Sequence, residues 1–217
     1  MAYPESGQVN HVHASSPCQG FSRANREKDG GWHGEANNKL VYEFVRAVEI
    51  LRPDTVSFEN VEGILDPRHI GYLQDVVAKM LIELEYNVRV SVLNAADYGD
   101  AQNRRRVFLF ASKADIILPD EPINTHGPGG IVLPLRTVRD CIGKLEQIEP
   151  QPGEGRIMSD GVNYMNHSIN GTKIESAENQ KLEADKPAST LYGNSTYNMV
   201  HYLHDRSLTI LELALLQ

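Results

Sequence analysis

Between residues 39 and 61 the apolar side chains change period, and that change limits what the chain can fold into. In NKLVYEFVRAVEIL, Leu40, Phe44, Val48 and Leu51 recur at helical spacing, with Val41 and Val45 beside them. Arg52-Pro53 ends the pattern, because proline has no N–H to continue a helix. DTVSFENV follows at once and reads as a strand, with Glu59 and Asn60 at its C-terminal end. The switch then repeats. Leu73, Val76, Val77, Met80, Leu81 and Leu84 predict a second helix over 70–84, and Val88, Val90 and Val92 alternate as a strand in NVRVSVLNA. QNRRRVFLFAS turns from polar to apolar, which puts its arginines at the mouth of a further strand. Upstream, VNHVHA alternates as a short strand, and the glycine-rich REKDGGWHGEANN reads as a mobile loop. Strands alternating with helices define an α/β layered sheet.

In open α/β sheets, ligands sit beyond the carboxyl ends of the strands. Cys18 and Glu59 both follow predicted strands and so face one crevice. The arginines precede their strand, as expected if it runs antiparallel to its neighbours. All three groups are then expected to meet at one sheet edge.

Composition narrows the partners. The 217 residues allow one core and a small appended lobe. The net charge of −8 argues against a nucleic-acid partner unless positive charge is local, and Arg104, Arg105 and Arg106 form the only triple-basic run. No apolar run reaches the roughly 18–20 residues of a membrane span, and the N-terminus lacks a signal-peptide pattern. Cys18 and Cys141 cannot make a disulfide framework, so a reducing compartment fits best.

Cys18 sits in HASSPCQGFS, among Ser15, Ser16, Pro17, Gln19, Gly20 and Ser22, and reads as presented rather than packed. Cys141, inside LRTVRDCIGKLEQI, reads as structural; that segment is helical with Thr137 as N-cap. From about Ala114 periodicity fades, and residues 114–185 read as a small irregular lobe. Order returns at DKPASTLYGN, and DRSLTILELALLQ is a helix capped by Ser207 or Thr209. Histidines 11, 13 and 33 near Cys18 raise a Cys–His hydrolase reading, but no oxyanion-hole motif accompanies them. A zinc site would need two close-spaced ligand pairs, so no metal is expected.

PCQGFS at 17–22, FENV at 58–61 and QNRRRVF at 102–108, in this order, resemble the DNA (cytosine-5)-methyltransferase family. NNKLVYEF, NAADYGDAQNRRR, TVRDCIG, KPASTLYG and RSLTILELALLQ extend the resemblance over most of the chain. It implies a Rossmann-like, S-adenosylmethionine-dependent α/β methyltransferase sheet, incomplete here. Residues 1–113 would be a partial catalytic core, 114–185 a small target-recognition segment, and 186–217 a truncated return to the core. The resemblance assigns Cys18 as nucleophile, Glu59 as acid on the cytosine ring, Arg104 as hydrogen-bond partner of the flipped base, and Arg106 as the group orienting Glu59 or a phosphate. Pro17 and Leu40 are the implied contacts to S-adenosyl-L-methionine. Gln19, Ser22, Asn60 and Gln102 are the implied substrate contacts, although Asn60 also reads as a loop tie. Arg105 is expected to point away by strand alternation. DNA is the implied partner, with no membrane and no metal, and the nucleus the expected compartment (the cytoplasm in a prokaryote).

The family's glycine-rich first motif and its tenth motif have no counterpart here. The chain alone is therefore expected to bind the methyl donor poorly, and a donor dissociation constant in the micromolar range would contradict this. The alternative function is a non-catalytic DNA-binding or regulatory module that keeps the base pocket. The short, weakly basic lobe predicts modest sequence specificity.

Overall fold

The computed structural model describes residues 4–16, 21, 31–127, 133–148, 180–192 and 199–217, with the backbone alone for 31–38 and 180. Two compact units emerge, Met1–Leu93 with Arg105–Pro122, and Asn94–Arg104 with Ile123–Gln217.

The first unit holds a four-stranded sheet. Its strands are β1 (His11–Ser15), β2 (Thr55–Val61), β3 (Tyr86–Asn94) and β4 (Arg105–Lys113), in the order β1-β2-β4-β3. β1 runs parallel to β2, with Ser15 opposite Glu59. β4 runs antiparallel to β2, as the position of its arginines predicts, with Arg106 opposite Val61. A parallel pair needs a crossover, and helix α1 (Gly31–Leu51) lies within it. Alternation along β2 buries Val56, Phe58 and Asn60 on one face, against Val41, Phe44 and Val48 of α1 and Leu73 and Val76 of α2 (Ile70–Ala78). Phe44 stacks on Phe58 at 5.2 Å. Thr55, Ser57, Glu59 and Val61 therefore face the other way, each half-buried. This mixed sheet with its helices is an incomplete Rossmann-like α/β fold.

Two expectations need correction. The glycine-rich stretch is not a loop throughout, because α1 starts at Gly31. Each glycine there costs about 1 kcal/mol in helix propensity, which the buried stripe further along the helix outweighs. The second helix is also not α-helical to residue 84. After Ala78 it widens into a π turn, Lys79–Glu83, in which the Leu84 N–H reaches the Lys79 carbonyl at 3.1 Å. The extra residue in that turn rotates the stripe. Met80 and Leu84 stay in the core, but Leu81, expected inside, is 47% exposed.

The second unit packs Ala101, Val138, Ile142, Leu182, Ala188, Leu191, Leu208 and Leu216 together. It contains α3 (Val138–Ile142), the two-residue parallel strands β5 (Gln180–Lys181) and β6 (Met199–Val200), and α4 (Ile210–Leu215). Both helices start in reciprocal capping boxes, Thr137 with Asp140 and Thr209 with Glu212. Glu212 is completely buried and receives both terminal nitrogens of Arg206, at 2.8 and 2.7 Å. Buried His201 accepts the Leu203 N–H at 3.0 Å on Nδ1, and its Nε2 lies 3.6 Å from Glu212.

Candidate active site

The carboxylate of Glu59 lies near the C-terminal end of β2, on the sheet face away from α1. Arg106, two residue pairs along the antiparallel ladder, donates from Nε to Glu59 Oε1 at 2.9 Å. Ser15, its partner across the parallel ladder, donates from Oγ to Oε2 at 2.6 Å. Each carboxylate oxygen thus has its own donor. The Arg106 and Glu59 side chains are only 15% and 22% exposed, so solvent screens this contact less than a surface pair. Arg105 points the opposite way along β4, 58% exposed and 3.0 Å from Glu62, as strand alternation requires.

The following residue is fixed just as firmly. Asn60 is 1% exposed; its amide nitrogen donates to Ser16 Oγ at 3.0 Å, and its oxygen accepts the Val61 N–H at 2.8 Å. The Ser15–Glu59 and Asn60–Ser16 bonds together tie Ser15-Ser16 to Glu59-Asn60. A few residues on, the Phe21 carbonyl packs against Gly63, where a Cβ would stand 1.8 Å from that oxygen. Only a residue without a side chain permits such an approach. Pro17, Cys18, Gln19 and Ser22 lie outside the described residues.

Further along the same face, Ser57 Oγ sits between His13 Nδ1 at 2.8 Å and His11 Nε2 at 2.9 Å, and His11 Nδ1 meets Thr55 Oγ1 at 2.9 Å. A serine hydroxyl has one proton, so it donates to one ring and accepts from the other. Leu40 is 41% exposed on α1. A cavity of about 590 Å³ lies elsewhere in this unit, in the groove of Tyr42, Glu49, Lys79 and Glu83, and none of the expected site residues lines it.

The remaining expected residues belong to the second unit. Gln102 is 1% exposed; its Oε1 accepts the Leu191 N–H at 2.8 Å and its Nε2 donates to the Leu216 carbonyl at 3.5 Å. Both ends of its amide are engaged within the protein, which makes it a brace for the 188–191 segment in this conformation. Arg104 donates from Nη1 to the Leu191 carbonyl at 3.4 Å. Burial raises the nearby Asp100 carboxyl, against the Ala101 N–H and the charges of Arg136 and Arg104. Burial also pushes the Cys141 thiol up, which keeps it protonated. Ser15 was not legible as a site residue, because its contact depends on the parallel register.

The sheet thus presents a doubly held carboxylate at the C-terminal end of one strand, beside the strand that precedes Cys18 in sequence, where ligands of open α/β sheets bind. Residues 3–129 match the C-5 cytosine-specific DNA methylase family, and the chain belongs to that family. It is 32% identical over 176 residues to DNA (cytosine-5)-methyltransferase 3 of Arabidopsis thaliana, covering 71% of this chain and 12% of that protein. It is 30% identical over 235 aligned positions to the type II methylase M.HgiDII of Herpetosiphon aurantiacus, covering 93% of this chain and 63% of that one. The chain thus spans about an eighth of the plant relative and under two thirds of the bacterial one. In fold it is similar to a DNA modification methyltransferase encoded within an E. coli prophage, with a TM-score of 0.65 at 18% identity, covering 96% of this chain and 68% of the other. Among the described residues no helix is long and apolar enough to cross a membrane.

Proposed function

We propose that the chain carries the catalytic centre of a DNA (cytosine-5)-methyltransferase, which methylates carbon 5 of a flipped cytosine through a covalent Cys18 adduct. The observation that supports this reading is the Glu59 carboxylate, held at one oxygen by Arg106 and at the other by Ser15, on the strand paired with the one leading into PCQGFS.

The chemistry requires such a carboxylate. Carbon 5 of cytosine is a poor nucleophile until electrons enter the ring. The Cys18 thiolate adds to carbon 6 while Glu59 gives its proton to nitrogen 3, and such acid assistance contributes roughly 10²- to 10⁴-fold. Arg106 fixes Glu59, and Arg104 hydrogen-bonds the extruded base once its bond to Leu191 is exchanged. Gln19, Ser22 and Asn60 are the substrate contacts around the ring, and Gln102 braces the 188–191 segment. A stacked duplex hides carbon 6, so the base must leave the helix.

S-adenosyl-L-methionine supplies the methyl group when bound. Leu40 offers it an exposed apolar side chain, with Pro17 as the second contact. Residues 114–185 choose the target sequence in DNA. We place the activity in the nucleus, or in the cytoplasm of a prokaryotic host.

DNA containing 5-fluorocytosine, with saturating donor, tests the reading. A covalent adduct that disappears in Cys18→Ala supports it. Reversible DNA binding that Cys18→Ala leaves unchanged overturns it in favour of a non-catalytic binding module.

A further inference from the structure

We infer that Ser15 is a positioning residue for the proton-transfer step, and that its hydroxyl assigns Glu59 Oε2 as the oxygen that carries the proton. The inference rests on the functional reading above and concerns the same carboxylate.

The two oxygens of Glu59 face different chemistry. Oε1 faces the Arg106 Nε–H, a permanent donor that cannot accept a hydrogen bond. A proton on that oxygen would weaken the contact with a fixed cation. Oε2 faces the Ser15 hydroxyl at 2.6 Å, which can either donate or accept. Of the two described partners of this carboxylate, only the Ser15 hydroxyl can stay bonded to its oxygen in both protonation states.

The step then balances. The Oε2–H bond breaks and an N3–H bond forms as sulfur adds to carbon 6; the electron pair stays on Oε2. The Ser15 O–H then turns to donate to the new carboxylate, the arrangement seen in the structure. Ser16 supports this by holding Asn60, so the backbone that carries both hydroxyls is fixed to the strand that carries the acid. The parallel register, Ser15 opposite Glu59, makes the contact possible, and alternation puts both side chains on one face.

Solvent exchange at carbon 5 isolates this step, because addition to carbon 6 with protonation of nitrogen 3 leaves an enamine carbon that takes a proton from water. Methyl transfer is not needed. DNA carrying 5-tritiated cytosine is incubated with the chain without donor, and tritium release is followed from pH 5 to 9. Release by the wild type that is lost in Cys18→Ala and Glu59→Gln supports the functional reading. In Ser15→Ala, release falls about tenfold, the effect of one hydrogen bond to a charged group. The shape of its pH–rate profile changes as well as its height, which a loss of folding alone would not produce. Ser15→Thr restores both rate and profile. A Ser15→Ala chain with the wild-type rate and profile, beside a dead Cys18→Ala, overturns the Ser15 assignment and leaves the reading standing. No wild-type release overturns the reading and this assignment with it. An independent measurement is the Glu59 carboxylate stretch, isolated as the infrared difference between wild type and Glu59→Gln. That band shifts in the Ser15→Ala background, and an unshifted band overturns the assignment whatever the exchange assay gives.

Discussion

Replacing Arg206 with methionine tests how the second unit is held together. In the native fold the Glu212 carboxylate has no exposed surface and receives two guanidinium N–H groups at 2.8 and 2.7 Å, plus the Thr209 N–H at 2.8 Å. Burial alone would disfavour its charge, but the hydrogen bonds and charge of Arg206 and the Thr209 N–H outweigh burial and hold the carboxyl below its ordinary value. Arg206→Met removes the stronger donors and leaves a buried, poorly compensated anion. Breaking a buried pair from one side costs about 3–5 kcal/mol. For a chain of this size each kcal/mol lowers Tm by roughly 2–4 °C, so a drop of about 6–20 °C is expected. The pH dependence gives a second check. In the wild type the depressed carboxyl contributes stability above its unfolded value, and that stability is lost as pH falls. In the variant the carboxyl can take up a proton and relieve the burial. The gap in Tm between the two therefore narrows from pH 8 to pH 5. Arg206→Met combined with Glu212→Leu, which removes both charges, recovers most of the loss. Scanning calorimetry of the three chains decides the matter; a single variant within about 2 °C of wild type, or a gap that widens in acid, refutes the reasoning.

Gly63→Ala places a methyl group against the Phe21 carbonyl and should cost about 1–3 kcal/mol in denaturant unfolding, with exchange at carbon 5 reduced as well. Phe58→Ala empties a fully buried site stacked on Phe44 and should cost about 3–5 kcal/mol, read from the midpoint of urea unfolding. Burial pushes His201 down to about 4. Its neutral form is favoured in the fold, so its contribution is complete above the unfolded value near 6.5 and declines as pH falls from there to about 4. His201→Gln should flatten the acid limb of Tm against pH over that window.

Features that depend on near neighbours are legible in the sequence. The stripe through Val41, Phe44, Val45 and Val48 and the alternation through Phe58 depend on neighbours within a turn or a strand, and both appear as expected, while Leu40 at the start of the stripe is exposed. The pairing of Glu59 with Arg106 was also within reach, since antiparallel strands bring the end of one beside the start of the other. Ser15 was not legible, because nothing nearby in sequence says that it faces a residue forty-four positions away. The brace made by Gln102 was not legible either, since its amide meets the Leu191 backbone from eighty-nine positions away. The π turn was missed for a different reason: a stripe assumes constant pitch, and the pitch changes after Ala78.

Among the described residues β1 has a strand on one side only, and it is short. That arrangement sets the order in which the molecule comes apart. Warming or mild denaturant should peel His11–Ser15 from β2 before the layer beneath α1 melts, since outer ladders open at lower free energy than buried ones. The serine departs with the strand and leaves its acid behind, so chemistry should fail at a temperature where spectroscopy still reports an intact protein.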